Sequence, residues 1–139
     1  MYTKSDFPKI YINISNFITS ENEVLDFPIE IKKELKDERF EIKKPIRGKI
    51  KLFKSKREFF ANFEIYTEII LICDRCLKKF KKPLNLNFTR SLKFNKESDE
   101  DIKIMPYNKI EIFEPIWQEI VLKIPIKSLC SQKCKGNYK

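Results

Sequence analysis

The sixteen residues from Glu58 to Cys73 alternate in character. Phe59, Ala61, Phe63, Ile65, Thr67, Ile69, Leu71 and Cys73 share one side, and Phe60, Asn62, Glu64, Tyr66, Glu68, Ile70 and Ile72 share the other. A period of two held over this length fits no helix and predicts a long strand with one buried face. Leu84 to Phe94 repeats the pattern: Leu84, Leu86, Phe88, Leu92 and Phe94 point inward, and Arg90 interrupts the set. A third strand is predicted over Ile46 to Phe53, with Ile46, Gly48, Ile50 and Leu52 on one face and the polar Lys54 to Arg57 stretch turning the chain back. Short connections between successive strands imply an antiparallel meander. Val24 to Ile31 reads as a further strand, and Pro28, which has no N–H to donate, confines it to an edge or a bulge.

Beyond the polar Asn95 to Asp101 loop the period changes. Ile112, Phe113, Ile116, Trp117, Ile120, Val121 and Ile124 recur at helical spacing, Pro115 suits a first turn and Pro125 ends the run. Trp117 is the large apolar anchor of this helix. A small antiparallel sheet with one amphipathic helix to cover it predicts an α+β fold with a strongly twisted, partly closed sheet and a cysteine knuckle joined to the tail. No internal repeat or linker is visible, so residues 1–139 are read as a single domain.

Composition removes several classes of chemistry. Histidine is absent, so imidazole acid–base catalysis and every His-containing metal site are excluded. Two glycines, Gly48 and Gly136, cannot build a dinucleotide or phosphate-cradling loop, which needs several within one turn. Glu64 and Glu68, on one strand face, are expected to meet water or cross-strand lysines rather than a substrate. The reading is therefore of a chain that is not an enzyme and takes no small-molecule substrate. No apolar run has signal-peptide or membrane-spanning length, which predicts a cytoplasmic chain without membrane contact.

Cys73-Asp74-Arg75-Cys76 closes the longest strand, and Cys130-Ser131-Gln132-Lys133-Cys134 follows after 53 intervening residues. Cys73, Cys76, Cys130 and Cys134, as two closely spaced pairs, meet the requirement of a four-thiolate structural zinc site, and neighbouring cations such as Arg75 and Lys133 would offset its double negative charge. The alternative is four unligated thiols, with Cys73 simply part of the core face of its strand. A thiol oxidoreductase is disfavoured, because redox Cys-x-x-Cys motifs open a helix and this one ends a strand.

The residues Cys73-Asp74-Arg75-Cys76-Leu77 with Phe80, then Ile124-Pro125-Ile126-Lys127-Ser128-Leu129-Cys130 and Cys134-Lys135-Gly136, resemble the YceD family, also called the DUF177 domain. Its members carry a C-x-R-C-L motif after a long strand and a proline-led ending through Leu-Cys-x-x-x-Cys-Lys-Gly. The resemblance implies a non-enzymatic cytoplasmic factor required for accumulation of large-subunit (23S) ribosomal RNA. Its implied partners are ribosomal RNA, a pre-50S particle or a ribosomal protein. Relatives commonly continue with a further cysteine pair where this chain has Asn137-Tyr138-Lys139, and many are acidic.

This chain is basic, with 29 Lys+Arg against 20 Asp+Glu and a formal net charge of +9. The densest basic stretch, Cys73 to Lys93, holds seven cations against Asp74 alone. If Arg75, Lys78, Lys79, Lys81 and Lys82 lie on the turn after the knuckle, they form a phosphate-binding edge with Lys127, Lys133 and Lys135, extended by Arg47, Lys49 and Lys51. Two alternatives stand beside RNA contact. One is a solvated lysine-rich hairpin. The other is an adaptor that docks a ribosomal protein or assembly enzyme through apolar residues at the sheet edge, without touching RNA. Phe80 is assigned to the core rather than to base stacking, which usually needs more than one ring.

Overall fold

The computed structural model describes residues 8–21 and 23–124. In chain order its elements are β1 (Tyr11–Asn13), α1 (Ser15–Thr19), β2 (Val24–Ile31), β3 (Leu35–Lys36), β4 (Phe40–Ile42), β5 (Ile46–Ser55), β6 (Glu58–Ile72), β7 (Lys79–Lys93), β8 (Ile102–Lys103), β9 (Lys109–Glu111) and α2 (Phe113–Lys123). The alternating run is β6, and its length organises everything else. Along one edge it pairs with β7 from Phe59↔Leu92 to Ile72↔Lys79. Its other edge is shared between β5, over Glu58 to Tyr66, and the short β4 at Ile70 and Leu71.

The seven-stranded sheet therefore has two halves. Across one half the order is β2-β5-β6-β7-β8; across the other, which ends at Cys73, it is β3-β4-β6-β7. Only the β7–β8 pairing is parallel. The fold is α+β with a mostly antiparallel sheet and a helix after it, as the periodicities predict. The sheet is open rather than partly closed: β2 and β8 flank opposite sides and do not pair with each other. Strand β2 is an edge, where Pro28 faces Lys49 and omits no internal ladder bond.

One face of the sheet is the core. Ala61, Phe63, Ile65, Ile69, Leu71 and Cys73 from β6 and its end are buried with Ile46, Ile50 and Leu52 from β5 and Leu84, Leu86 and Leu92 from β7. Helix α2 covers this face with Phe113, Ile116, Trp117 and Ile120. Trp117 lies 5.3 Å from Phe40 between ring centroids, so the helix also fixes the small β3–β4 hairpin. The helix start is held by Glu111, whose carboxylate accepts from the N–H groups of Phe113 and Glu114 at 2.7 and 2.8 Å, satisfying donors that a first turn leaves open.

Two features of β7 have clear causes, one foreseen and one a correction. Arg90 interrupts the inward set of β7 because its guanidinium, 7% exposed, donates to Glu119 of α2 at 2.8 Å and to the Glu100 carbonyl at 3.3 Å. It ties sheet to helix and is not a surface cation. Phe94 is exposed rather than inward, since β7 ends at Lys93 and the pleat no longer directs the ring. Gly48 is required by a close approach: a Cβ there would lie 1.9 Å from the Glu64 carbonyl oxygen on β6. Among the described residues no helix is long and apolar enough to cross a membrane.

Candidate nucleic-acid interface

The knuckle is the loop that returns β6 into β7. The Cys73 N–H donates to the Lys78 carbonyl at 2.8 Å and the Leu77 N–H donates to the Cys73 carbonyl at 2.9 Å, closing a tight turn over Asp74, Arg75 and Cys76. Leu77 adopts φ 63°, a conformation that costs a non-glycine residue roughly 1–2 kcal/mol and so is held by the loop around it. Cys73 is buried and Cys76 is half-buried. Among the described residues no three His, Cys, Asp or Glu side chains converge as a metal-binding group. Cys130 and Cys134, the expected second pair, lie outside the described residues, as do Lys127, Lys133 and Lys135.

The basic residues near the knuckle do not sit together on a turn. Lys79 to Lys82 belong to β7, where they pair with Ile72 to Ile69 of β6. The pleat then divides them. Lys79 and Lys81 share the outer face of the sheet with Ile70 and Ile72, whereas Phe80 and Lys82 occupy the face that carries Leu71 and Ile69. Phe80 is partly buried against the core, as expected. Lys82 takes an inward register position yet remains exposed, because β7 is the edge strand at this end, β8 pairing only with Leu92 and Lys93. Arg75 and Lys78 are exposed in the loop. Lys78, Lys81 and Lys82 have no ion pair among the described residues.

The proposed extension along β5 is largely neutralised. Arg47 is 3.0 Å from Glu30 and Lys49 is 3.7 Å from Glu64, so only Lys51 of that trio lacks an ion pair among the described residues. Glu68 likewise meets Lys44 at 3.6 Å, the cross-strand role foreseen for the β6 carboxylates. Tyr66 sits half-exposed in the middle of this face, between Arg47 on β5 and Asn85 on β7.

The structure adds residues that sequence reasoning missed. Glu41 of β4 accepts from the Lys79 ammonium at 3.2 Å and lies 3.9 Å from that of Lys43, while Lys36 stands directly across the β3–β4 ladder. The Lys79 hydrogen bond, with the charges of Lys79, Lys36 and Lys43 behind it and burial opposing, holds the Glu41 carboxyl below its ordinary 4.5. The only signal in the sequence was a lysine density around Lys32 to Lys44, which reads as a solvated loop until β4 is placed beside β6.

Comparison with known proteins identifies a family. A family model described as large ribosomal RNA subunit accumulation protein YceD matches residues 61–139, just over half of the chain. No curated protein and no solved structure matches.

Proposed function

The chain belongs to the family of large ribosomal RNA subunit accumulation protein YceD, and we propose that it is a non-enzymatic cytoplasmic factor that supports accumulation of large-subunit ribosomal RNA by contacting that RNA or its precursor particle. The observation that carries the RNA contact is the basic edge at the knuckle end of the sheet, where Lys79 and Lys81 share the outer face with Lys78 in the adjoining loop and Lys82 on the opposite face, three of the four without an ion pair among the described residues. Lysines placed this way meet phosphates without reading bases, so the contact is one of charge and shape. Depleting the protein and separating ribosomal subunits should show a deficit of large subunits with unprocessed or truncated large-subunit RNA. A normal subunit ratio and normal precursor sizes would refute the role.

A structural zinc ion belongs to the same proposal. The Cys73–Cys76 turn is a tight loop with two thiols three residues apart, the form in which a zinc site receives half of its ligands. With no third ligand converging among the described residues, Cys130 and Cys134 are the donors that would complete it. Metal analysis of protein purified without chelator should return about one zinc per chain.

Docking on a ribosomal protein is the second reading, favoured by Ile72 and Leu77, both exposed beside the knuckle. A complex recovered after nuclease treatment at high salt would select it over RNA contact.

A further inference from the structure

We propose that the cleft in which Lys36, Lys43 and Lys79 surround Glu41 is a seat for a single backbone phosphate of the RNA. This rests on the RNA reading above and identifies the group that is bound and the residues that bind it. The cleft, of about 410 Å³, lies at the knuckle end of the sheet. It is walled by the β3–β4 hairpin on one side and by Lys79 on β7 on the other.

Its geometry separates the two signs of charge. The Glu41 side chain is 15% exposed, while those of Lys79 and Lys43 are each 60% exposed, so the carboxylate sits behind and the ammonium groups in front. Elsewhere on the outer face the carboxylate is more open to water: Glu30 is 41% exposed beside Arg47, and Glu64 is 35% exposed beside Lys49. Those pairs present both signs. The cleft presents three cations around one shielded anion. Glu34 lies on its rim, exposed and without an ion pair among the described residues.

Lys79 and Lys43 lie 3.2 and 3.9 Å from the one carboxylate and Lys36 stands across the ladder from it, so three like charges repel one another, and a second anion placed over them relieves that repulsion. A phosphodiester suits the position, because its two unesterified oxygens can accept from several ammonium donors at once. Lys81, two residues along the same face of β7, would meet the next phosphate. The hairpin that supplies Lys36 and Lys43 is fixed by the contact of Phe40 with Trp117, so these lysines are carried on an ordered support.

The test uses the full chain and a fluorescein-labelled stem-loop RNA with a single-stranded tail, followed by fluorescence anisotropy over a salt series. The Lys36→Gln/Lys43→Gln variant is compared with Lys96→Gln/Lys103→Gln, which removes the same charge beyond the other end of β7. The two sites lie at opposite ends of β7, a strand length of roughly 45 Å, well beyond the ~10 Å screening length at 0.1 M salt. The cleft variant should bind about tenfold more weakly and lose about one unit of salt slope, as expected for one phosphate contact. The control should bind like the unaltered chain. Equal losses in both variants would overturn the seat while leaving the RNA reading in place. A loss of two slope units would also overturn it, since the lysines would then serve separate phosphates. If the unaltered chain fails to bind the RNA, the RNA reading falls and the seat with it. Far-ultraviolet circular dichroism and urea midpoints of both variants check that each is folded.

Discussion

Replacing Arg90 by Met separates structural charge from binding charge. The guanidinium is 7% exposed and Glu119 is 20% exposed, with 2.8 Å between donor and acceptor. Removing one partner of a fully buried pair costs about 3–5 kcal/mol, because the other charge is left behind without compensation. Glu119 retains some access to water, which lowers that figure. Loss of the stacking of Arg90 over Phe88, 5.4 Å from the ring centroid, adds to it. Methionine keeps most of the apolar stem, so the expected cost is about 2–3 kcal/mol. Urea unfolding followed by Trp117 fluorescence measures it as a shift of midpoint at constant slope. A double-mutant cycle with Glu119→Gln should give a coupling above about 1 kcal/mol. Arg90→Met should leave affinity for RNA unchanged under conditions where the variant is folded, although the sequence counts Arg90 within the densest basic stretch. A cost below about 0.5 kcal/mol would refute the claim that the pair is shielded, and a weakened RNA complex would refute the claim that Arg90 is spoken for by α2.

Gly48→Ala should destabilise by about 2 kcal/mol or more, read from the urea midpoint, because the added methyl meets the backbone of Glu64 and not a movable side chain. The β5–β6 turn places Lys56 and Arg57 at φ 48° and 68°, both in the left-handed region. Lys56→Asn with Arg57→Gly, the pair that a two-residue hairpin of this type prefers, should therefore stabilise by about 1 kcal/mol in the same assay. Lys79→Gln should raise the titration midpoint of Glu41 back toward 4.5, followed by carbon-13 NMR of the carboxyl carbon. Since the folded value is depressed, the cluster's contribution to stability is full above pH 4.5 and is lost as pH falls through that lower value. A midpoint insensitive to Lys79 would disprove the assignment of the hydrogen bond as its main cause.

The parts of the fold that were legible are those in which one chain segment carries its own period. β5, β6 and α2 each place enough apolar residues at spacing two or about three and a half to declare a buried face. The pieces that were not legible depend on distant partners. β1 pairs with β9 across a hundred residues, Tyr11 opposite Glu111, and β3, β4 and β8 have two or three residues each, too few for any period to show. The start of β7 reads as a turn in the sequence for a physical reason: Lys82 fills an inward slot opposite Ile69, which erases the alternation, and Pro83 follows at once. What extends the strand there is the length of β6, whose backbone to Ile72 offers ladder partners that lysines accept as readily as any residue on an edge. At the candidate interface the same limit applies. Lys79 and Lys81 were visible as a basic run, whereas Glu41, Lys36 and Lys43 acquire meaning only once β4 packs beside β6.

The net charge of +9 is therefore a poor guide to where an anion binds. Arg47, Lys49, Lys44 and Lys93 each face a carboxylate within 3.7 Å, and Arg90 is buried against another. Exposed pairs of this kind add little stability, yet a phosphate arriving there must compete with the resident carboxylate. The knuckle end differs in arrangement rather than in the number of its lysines. Three cations share Glu41, and Lys78, Lys81 and Lys82 have no ion pair among the described residues. The family match begins at Ala61, so it covers Lys79 and Lys81 but stops short of β3 and β4. A chain with the matched span and a different hairpin before β5 would keep the basic run of β7 and lose the cleft. The strength of RNA contact should then follow the sequence of that hairpin, not the total count of lysines.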